Sequence, residues 1–293
     1  DANYRHRPII VGKRVIAEPW AFDLASGAQQ MRSHPLTGEK IPWSIMRPGH
    51  HCGMLTGSDN MLLFRSGFTG FYDLEADAGT RHFAGHRLGC WINAIPANGL
   101  VMIPEASAGC VCLFSIASTV VMEPRAPRRA WGIYSGVGTA TPVKKLSLNL
   151  GAPGDRRDAT GKLWLSYPRP KSPKTTGLEL NLSLGESFAE GGKFVSYDGD
   201  SSETSTSPAA WVYSSSALGI KRCTVPLRGA GDRPARYSVR FYFSSGSAKQ
   251  ARPGQRVFDV HVQGQVVLKS VDAAKSSKDG TVVLEVRNVS VKD

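Results

Sequence analysis

The stretch Pro253-Gly254-Gln255-Arg256-Val257-Phe258-Asp259-Val260, continued by His261-Val262-Gln263-Gly264, decides the fold class. Its side chains alternate: Val257, Asp259 and His261 fall on one face, Phe258, Val260 and Val262 on the other. Alternation with period two marks a half-buried strand, because successive Cβ atoms point to opposite faces of a sheet. Pro253-Gly254 punctuates the chain before this strand and Gln263-Gly264-Gln265 after it. Val266-Val267-Leu268 then reads as a return strand, followed by Ser270-Val271-Asp272. Upstream, Tyr237-Ser238-Val239-Arg240-Phe241-Tyr242-Phe243 is a further strand, with Tyr237, Phe241 and Phe243 on one face.

The rest of the chain has the same character. Its 293 residues suggest two domains at about 150 residues each. With 41% hydrophobic residues it has material for real cores. Its 31 Gly and 18 Pro, set among short β-branched runs, favour strands and turns over helices. No apolar run approaches the roughly 20 residues of a membrane helix. The net charge of +12 is carried partly by Arg128-Arg129, Lys144-Lys145 and Arg156-Arg157. These pairs are scattered among Pro and Gly and form no stripe, so nucleic acid is not an expected partner.

The order Tyr-x-Val-Arg-Phe-Tyr-Phe, loop, Pro-Gly-x-Arg-Val-Phe-Asp-Val, Gly264, then Val271-Asp272 resembles malectin-like domains. The segment from Leu148 to Trp164, with Asn149, Gly151, Asp155 and Gly161, resembles the opening of the same family. The sequence departs from the family after Trp164, where Ser166-Tyr167-Pro168 stands in place of an early Asp. The resemblance implies a jelly-roll β-sandwich over residues 143–293 that binds sugars, with its final strand missing. Residues 185–207, rich in Gly, Ser, Glu and Asp, read as an exposed excursion.

Residues 1–124 carry a loose repeat of strand, turn and strand. The units begin at Pro8, Asn60 and Gly99, a period of about 40–50 residues that suits propeller blades. Asp23-Leu24-Ala25-Ser26-Gly27 and Asp73-Leu74 up to Gly79 resemble the PQQ-like (quinoprotein-type) β-propeller repeat. The run from Arg87 through Gly89-Cys90-Trp91-Ile92-Asn93 to Gly109-Cys110-Val111-Cys112 is similar to the end of the propeller in large planctomycete-type secreted proteins. Those proteins often place such a propeller ahead of a malectin-like domain. Two or three blades do not close a ring of about four to eight, so blades are expected to be missing upstream. The expected architecture is all-β: an incomplete propeller over 1–124, a linker over 125–142 and the sandwich over 143–293.

Four of the five cysteines, Cys52, Cys90, Cys110 and Cys112, lie in the first part. Two disulfides among them would suit a secreted, periplasmic or cell-surface protein. Buried thiols are the second reading, and a metal site with His50, His51, His82 or His86 the third. Cys-x-Cys is not the usual zinc knuckle spacing. No Gly-x-Ser-x-Gly elbow, P-loop or His-Glu-x-x-His is present, so catalysis is not expected within these residues. Under an alternative reading the chain is the tail of an exported oxidoreductase using PQQ and calcium; otherwise no cofactor is expected. A third reading is a scaffold that gathers other envelope proteins.

Sugar rings stack their C–H faces on aromatic side chains while polar groups take the hydroxyls. By approximate position in the malectin-like family, the expected binding residues are Tyr197, Asp198, Trp211 and Tyr213; Tyr167, an aromatic in loop-like sequence, joins them. The competing role for Trp211 and Tyr213 is sandwich core, as it is for Tyr237, Phe241 and Phe243. Trp20, Trp43 and Trp91 are expected to pack rather than stack on a ligand. The expected role is non-catalytic carbohydrate binding or cell-surface adhesion with the propeller as scaffold, and the expected partner is a carbohydrate or glycoconjugate.

Overall fold

The computed structural model describes residues 7–83, 85–105, 117–125, 131–138, 140–169, 178, 187–197, 210–245, 252–276 and 280–292. The fold is all-β, with 48% strand against 4% helix.

The first part is a series of antiparallel meanders. Strands β1 (Ile9–Val11), β2 (Arg14–Ala17) and β3 (Trp20–Asp23) form one sheet, and β4 (Met31–Ser33) and β5 (Lys40–Pro42) form a hairpin beside it. Strands β6 (Thr56–Ser58), β7 (Met61–Ser66), β8 (Phe68–Asp73) and β9 (Arg81–Phe83) form a four-stranded sheet. Strands β10 (Ile95–Ala97), β11 (Leu100–Ile103) and β12 (Val120–Met122) form the third. The β10–β11 turn is Asn98-Gly99, both at positive φ, which matches the twist of a tight hairpin.

Strand β7 shows why these sheets stack. Leu62 and Phe64 enter one core with Val11, Ile16, Ala21, Trp43 and Tyr72. Leu63, on the opposite face, enters another with Leu88, Ala94 and Ile103. One strand with two apolar faces therefore joins its sheet to a neighbour on each side. The first strands of the three sheets also lie in sequence, β1 against β6 and β6 against β10. Gly70 sits opposite Phe64, where a Cβ would come within 2.6 Å of the ring. The first two expected strand-turn-strand units are thus present, and β11 is the first strand of the third; its expected second strand, from Gly109 to Phe114, lies outside the described residues. The sheets form no closed ring among the described residues.

The segment expected to be a linker is, from Trp131 onward, built into the junction. Ile133 exchanges backbone hydrogen bonds with Thr80, and Gly132 with Asp155. Tyr134, Ser135, Ala140 and Val143 are buried. The physical reason is that 131–135 runs between two strand ends and satisfies their open backbone groups.

Strands β13 (Leu148–Leu150), β14 (Arg156–Arg157) and β15 (Leu163–Tyr167) form a small sheet, with β13 parallel and β14 antiparallel to β15. Three antiparallel pairs follow. Strand β16 (Ser187–Ser196) pairs with β17 (Ser215–Arg222), and β18 (Ala235–Ser244) with β21 (Thr281–Val291). Strand β19 (Phe258–Val262) pairs with β20 (Gln265–Val271) through the Gln263-Gly264 turn, both residues at positive φ. The hairpin read from the sequence is therefore present. Asp259 and His261 are exposed while Val260 and Val262 are half-buried.

Strand β16 corrects the expectation of an exposed excursion from residue 185. Residues 187–196 pair with β17 despite their polarity, because Gly191 at positive φ lets the strand bulge between Phe188 and Lys193. The remainder of that segment, 198–207, lies outside the described residues, as do residues 185 and 186.

Candidate functional site

The family-like motifs of the second part are used first as structural joints. Asn149 Oδ1 accepts from the Ser215 hydroxyl at 2.8 Å, tying β13 to the start of β17. Gly151 has φ +80, and a Cβ there would lie 2.7 Å from the Val195 carbonyl oxygen. Asp155 is 1% exposed. Its carboxylate accepts from the Tyr134 amide at 2.7 Å, the Ser166 amide at 2.9 Å and Arg169 at 2.5 Å. Asp158 accepts from the Trp164 indole at 3.0 Å. Asp272 accepts from the Gly254 amide at 2.7 Å and from Ala274, so it pins the Pro-Gly turn while capping helix α1 (Ala273–Ser276).

The aromatic residues divide into buried and open ones. Trp211 is 8% exposed and lies in a single-turn 3-10 helix over Ala210–Ser214. It makes edge contacts with Trp131 and Trp164, and Arg156 lies 4.8 Å from its ring centre. Trp211 is therefore a packing residue, because the turn points it at three partners and leaves no ring face for a ligand. Tyr213 is half-buried, with its ring 6.2 Å from that of Tyr242. Tyr167 makes an edge contact with Phe194, which in turn meets Phe188.

Tyr197 is different. It is 65% exposed, and its amide donates to the Ser214 carbonyl at 2.8 Å. That bond fixes its backbone where β16 leaves and the 3-10 turn returns, so a free ring stands on an anchored stem. Asp198 lies outside the described residues.

Residues 191–293 match the Malectin domain family. The match covers β17 to β21 and the end of β16, and takes in Tyr197, Trp211 and Tyr213. No curated protein and no solved structure matches the chain significantly. The malectin-like part of the expectation is thereby supported, whereas the planctomycete-type PQQ-like origin of the first part gains no support.

The expected cysteine and histidine chemistry is largely absent from the described residues. Cys52 and Cys90 are not joined to each other, and Arg65 donates to the Cys90 sulfur at 2.9 Å. Cys110 and Cys112 lie outside the described residues. No group of three or more His, Cys, Asp or Glu able to hold a metal ion occurs among the described residues. His82 is bonded to the Ser66 hydroxyl at 3.0 Å and His86 to the Thr69 hydroxyl at 3.1 Å. Burial lowers the pKa of both rings. Trp43 packs against Tyr72, as expected, but Trp91 is exposed.

Sequence reading missed a cavity of about 360 Å³ at the junction of the two parts. Arg32 of β4, Asp77, Tyr134 and Arg157 of β14 meet there. Arg32 lies 4.5 Å from the centre of the Tyr134 ring and Arg157 5.4 Å. Asp77 Oδ1 accepts from the Trp43 indole at 3.0 Å, from Arg32 at 3.3 Å and from the Tyr72 hydroxyl. Burial pushes the Tyr134 hydroxyl above its ordinary pKa, so it stays protonated despite the two guanidiniums. These residues are widely spaced in sequence and share no motif; Arg32 and Arg157 both reach Asp77 directly, and both guanidiniums lie against the Tyr134 ring.

Proposed function

We propose that this protein is a non-catalytic carbohydrate-binding protein working outside the cytoplasm, at the cell surface or on secreted glycoconjugates. The carrying observation is the Malectin domain match over residues 191–293, within which Tyr197 presents an exposed ring on a fixed backbone. An aromatic held this way offers a stacking face at little cost in lost side-chain freedom. Tyr167, half-buried in edge contact with Phe194, is a second aromatic candidate. The stacked first part then serves as the support that carries the binding part. The reading requires no cofactor.

A glycan array probed with the whole chain tests it. Saturable capture of a glycan, lost in Tyr197→Ala with an unchanged melting temperature, is the expected result. A folded protein that captures no glycan overturns the reading and leaves a scaffold for other proteins as its successor.

A further inference from the structure

The junction cavity lies entirely outside residues 191–293 and has its own chemistry. Four cations line it, Arg32, Lys145, Arg157 and Lys162, against one carboxylate, Asp77. That carboxylate is already engaged through Oδ1 by Trp43, Tyr72 and Arg32. Lys145, Lys162 and Arg157 have no carboxylate within ion-pair distance among the described residues. Like charges gathered in a concave, partly desolvated site raise the local potential and draw an anion.

One buried donor there lacks a partner. The Arg32 side chain is 7% exposed, and its Nε finds no acceptor. His34 is 3% exposed and lines the same cavity. Its Nδ1 accepts from the Leu36 and Thr37 amides at 3.3 and 3.2 Å, which places the ring proton on Nε2. Nε2 is therefore a donor on the lining, but it is not a sealed, unpartnered atom as Arg32 Nε is. Buried donors are nearly always satisfied, so an orphaned guanidinium nitrogen on the lining of a cationic cavity points to an acceptor-rich ligand.

We propose that this cavity binds a small hydroxylated monocarboxylate, the chemistry of a uronic acid. The size selects a single ring, since about 360 Å³ is near the low end for small-molecule sites. The guanidinium and ammonium groups suit a carboxylate, which accepts several charge-assisted hydrogen bonds. Asp77 in the same lining disfavours a phosphate dianion more than a singly charged acid. Ser33 and Ser147 supply hydroxyl groups, and Leu36, Leu163 and Leu165 an apolar wall for the ring. The site uses none of the residues of the Tyr197 face, so each assignment can fail without the other.

The test is titration calorimetry on the whole chain with glucuronate, glucose, acetate and inorganic phosphate. Glucuronate is expected to bind, glucose and acetate to bind at least about tenfold more weakly, and added salt to weaken the complex. Lys145→Gln and Lys162→Gln, each checked by thermal melt, are expected to weaken glucuronate by about three- to tenfold. Tyr197→Ala should leave it unchanged. Acetate binding as tightly as glucuronate would remove the sugar from the assignment, and tighter phosphate binding would remove the carboxylate. Absence of glucuronate binding, or binding equal in both lysine variants and the parent, overturns the site altogether.

Discussion

Strand β7 is buried at five of its six residues, whereas β18, at ten residues, has no fully buried position. The first part of the chain owes its order to sheet faces pressed together, with β7 serving two cores at once. The second part consists of paired ribbons whose aromatics are mostly half-buried. Phe241 stacks on Phe243, and Phe243 meets Phe258 edge-on. Its best core, Trp164, Trp211 and Val212, is completed by Trp131 from the junction. Leu36 of the first part likewise enters the core of Leu165 and Leu178. The part that carries the Malectin match is thus the thinner one, and it borrows packing from the rest of the chain.

The largest effect should come from cutting this dependence. A chain limited to residues 143–293 loses Leu36, Trp131, the Gly132 pairing with Asp155 and the Tyr134 amide that Asp155 accepts from. Small cores have little stability to spare. The truncated chain is expected to give no cooperative thermal transition by circular dichroism. A sharp transition near that of the whole chain would show that the ribbons stand alone.

Single substitutions should show the same contrast more finely. Phe64→Ala empties a fully buried site between β7 and its neighbours and should cost about 3–5 kcal/mol. Phe243→Ala, at a half-buried ribbon position, should cost less than half as much, because solvent already reaches the ring and the site can relax. Urea denaturation of the two variants measures the difference. Equal losses would mean that the ribbons hold a core as tight as the sheets do.

The sequence reads well where local rules govern. Alternation at Phe258–Val262, the Gln263-Gly264 turn and the first two units of the first part all depend on neighbours within a few residues. Strand β16 was hidden by its composition: Ser187, Glu190, Gly191 and Gly192 look like loop until β17 pairs with them. Trp211 was ambiguous for another reason. A tryptophan suits a sugar face and a core equally, and Trp131, Trp164 and Arg156, all distant in sequence, decide between them. The junction cavity was invisible because Arg32, Asp77, Tyr134 and Arg157 come from four separate segments.

A smaller effect should follow pH. His34 and His82 have folded-state pKa values below the ordinary 6.5, chiefly because burial disfavours the charged ring. Below about 6.5 the unfolded chain therefore takes up protons that the folded chain refuses, and stability falls as the pH falls. Both rings are tied to the first part, His82 through Ser66 and His34 through Leu36 and Thr37. Melting curves between pH 7.5 and 5 should decline toward the acid end, and less so in His82→Gln. A profile flat to pH 5 would show that neither ring resists protonation.

The smallest effect on stability, and the most telling one for function, belongs to Tyr197. Its ring is mostly in solvent, so Tyr197→Ala removes little packing, and the melting temperature should move by no more than about 2 °C. Trp211→Ala, in the same stretch, removes a ring wedged between Trp131, Trp164 and Arg156 and should lower it several-fold more. The pair separates two ways in which an aromatic near a loop can matter. If glycan capture is lost in the Tyr197 variant while its fold is untouched, the exposed ring is a binding surface. If both variants melt early, Tyr197 belongs to the core after all, and no glycan role can be assigned to it by substitution.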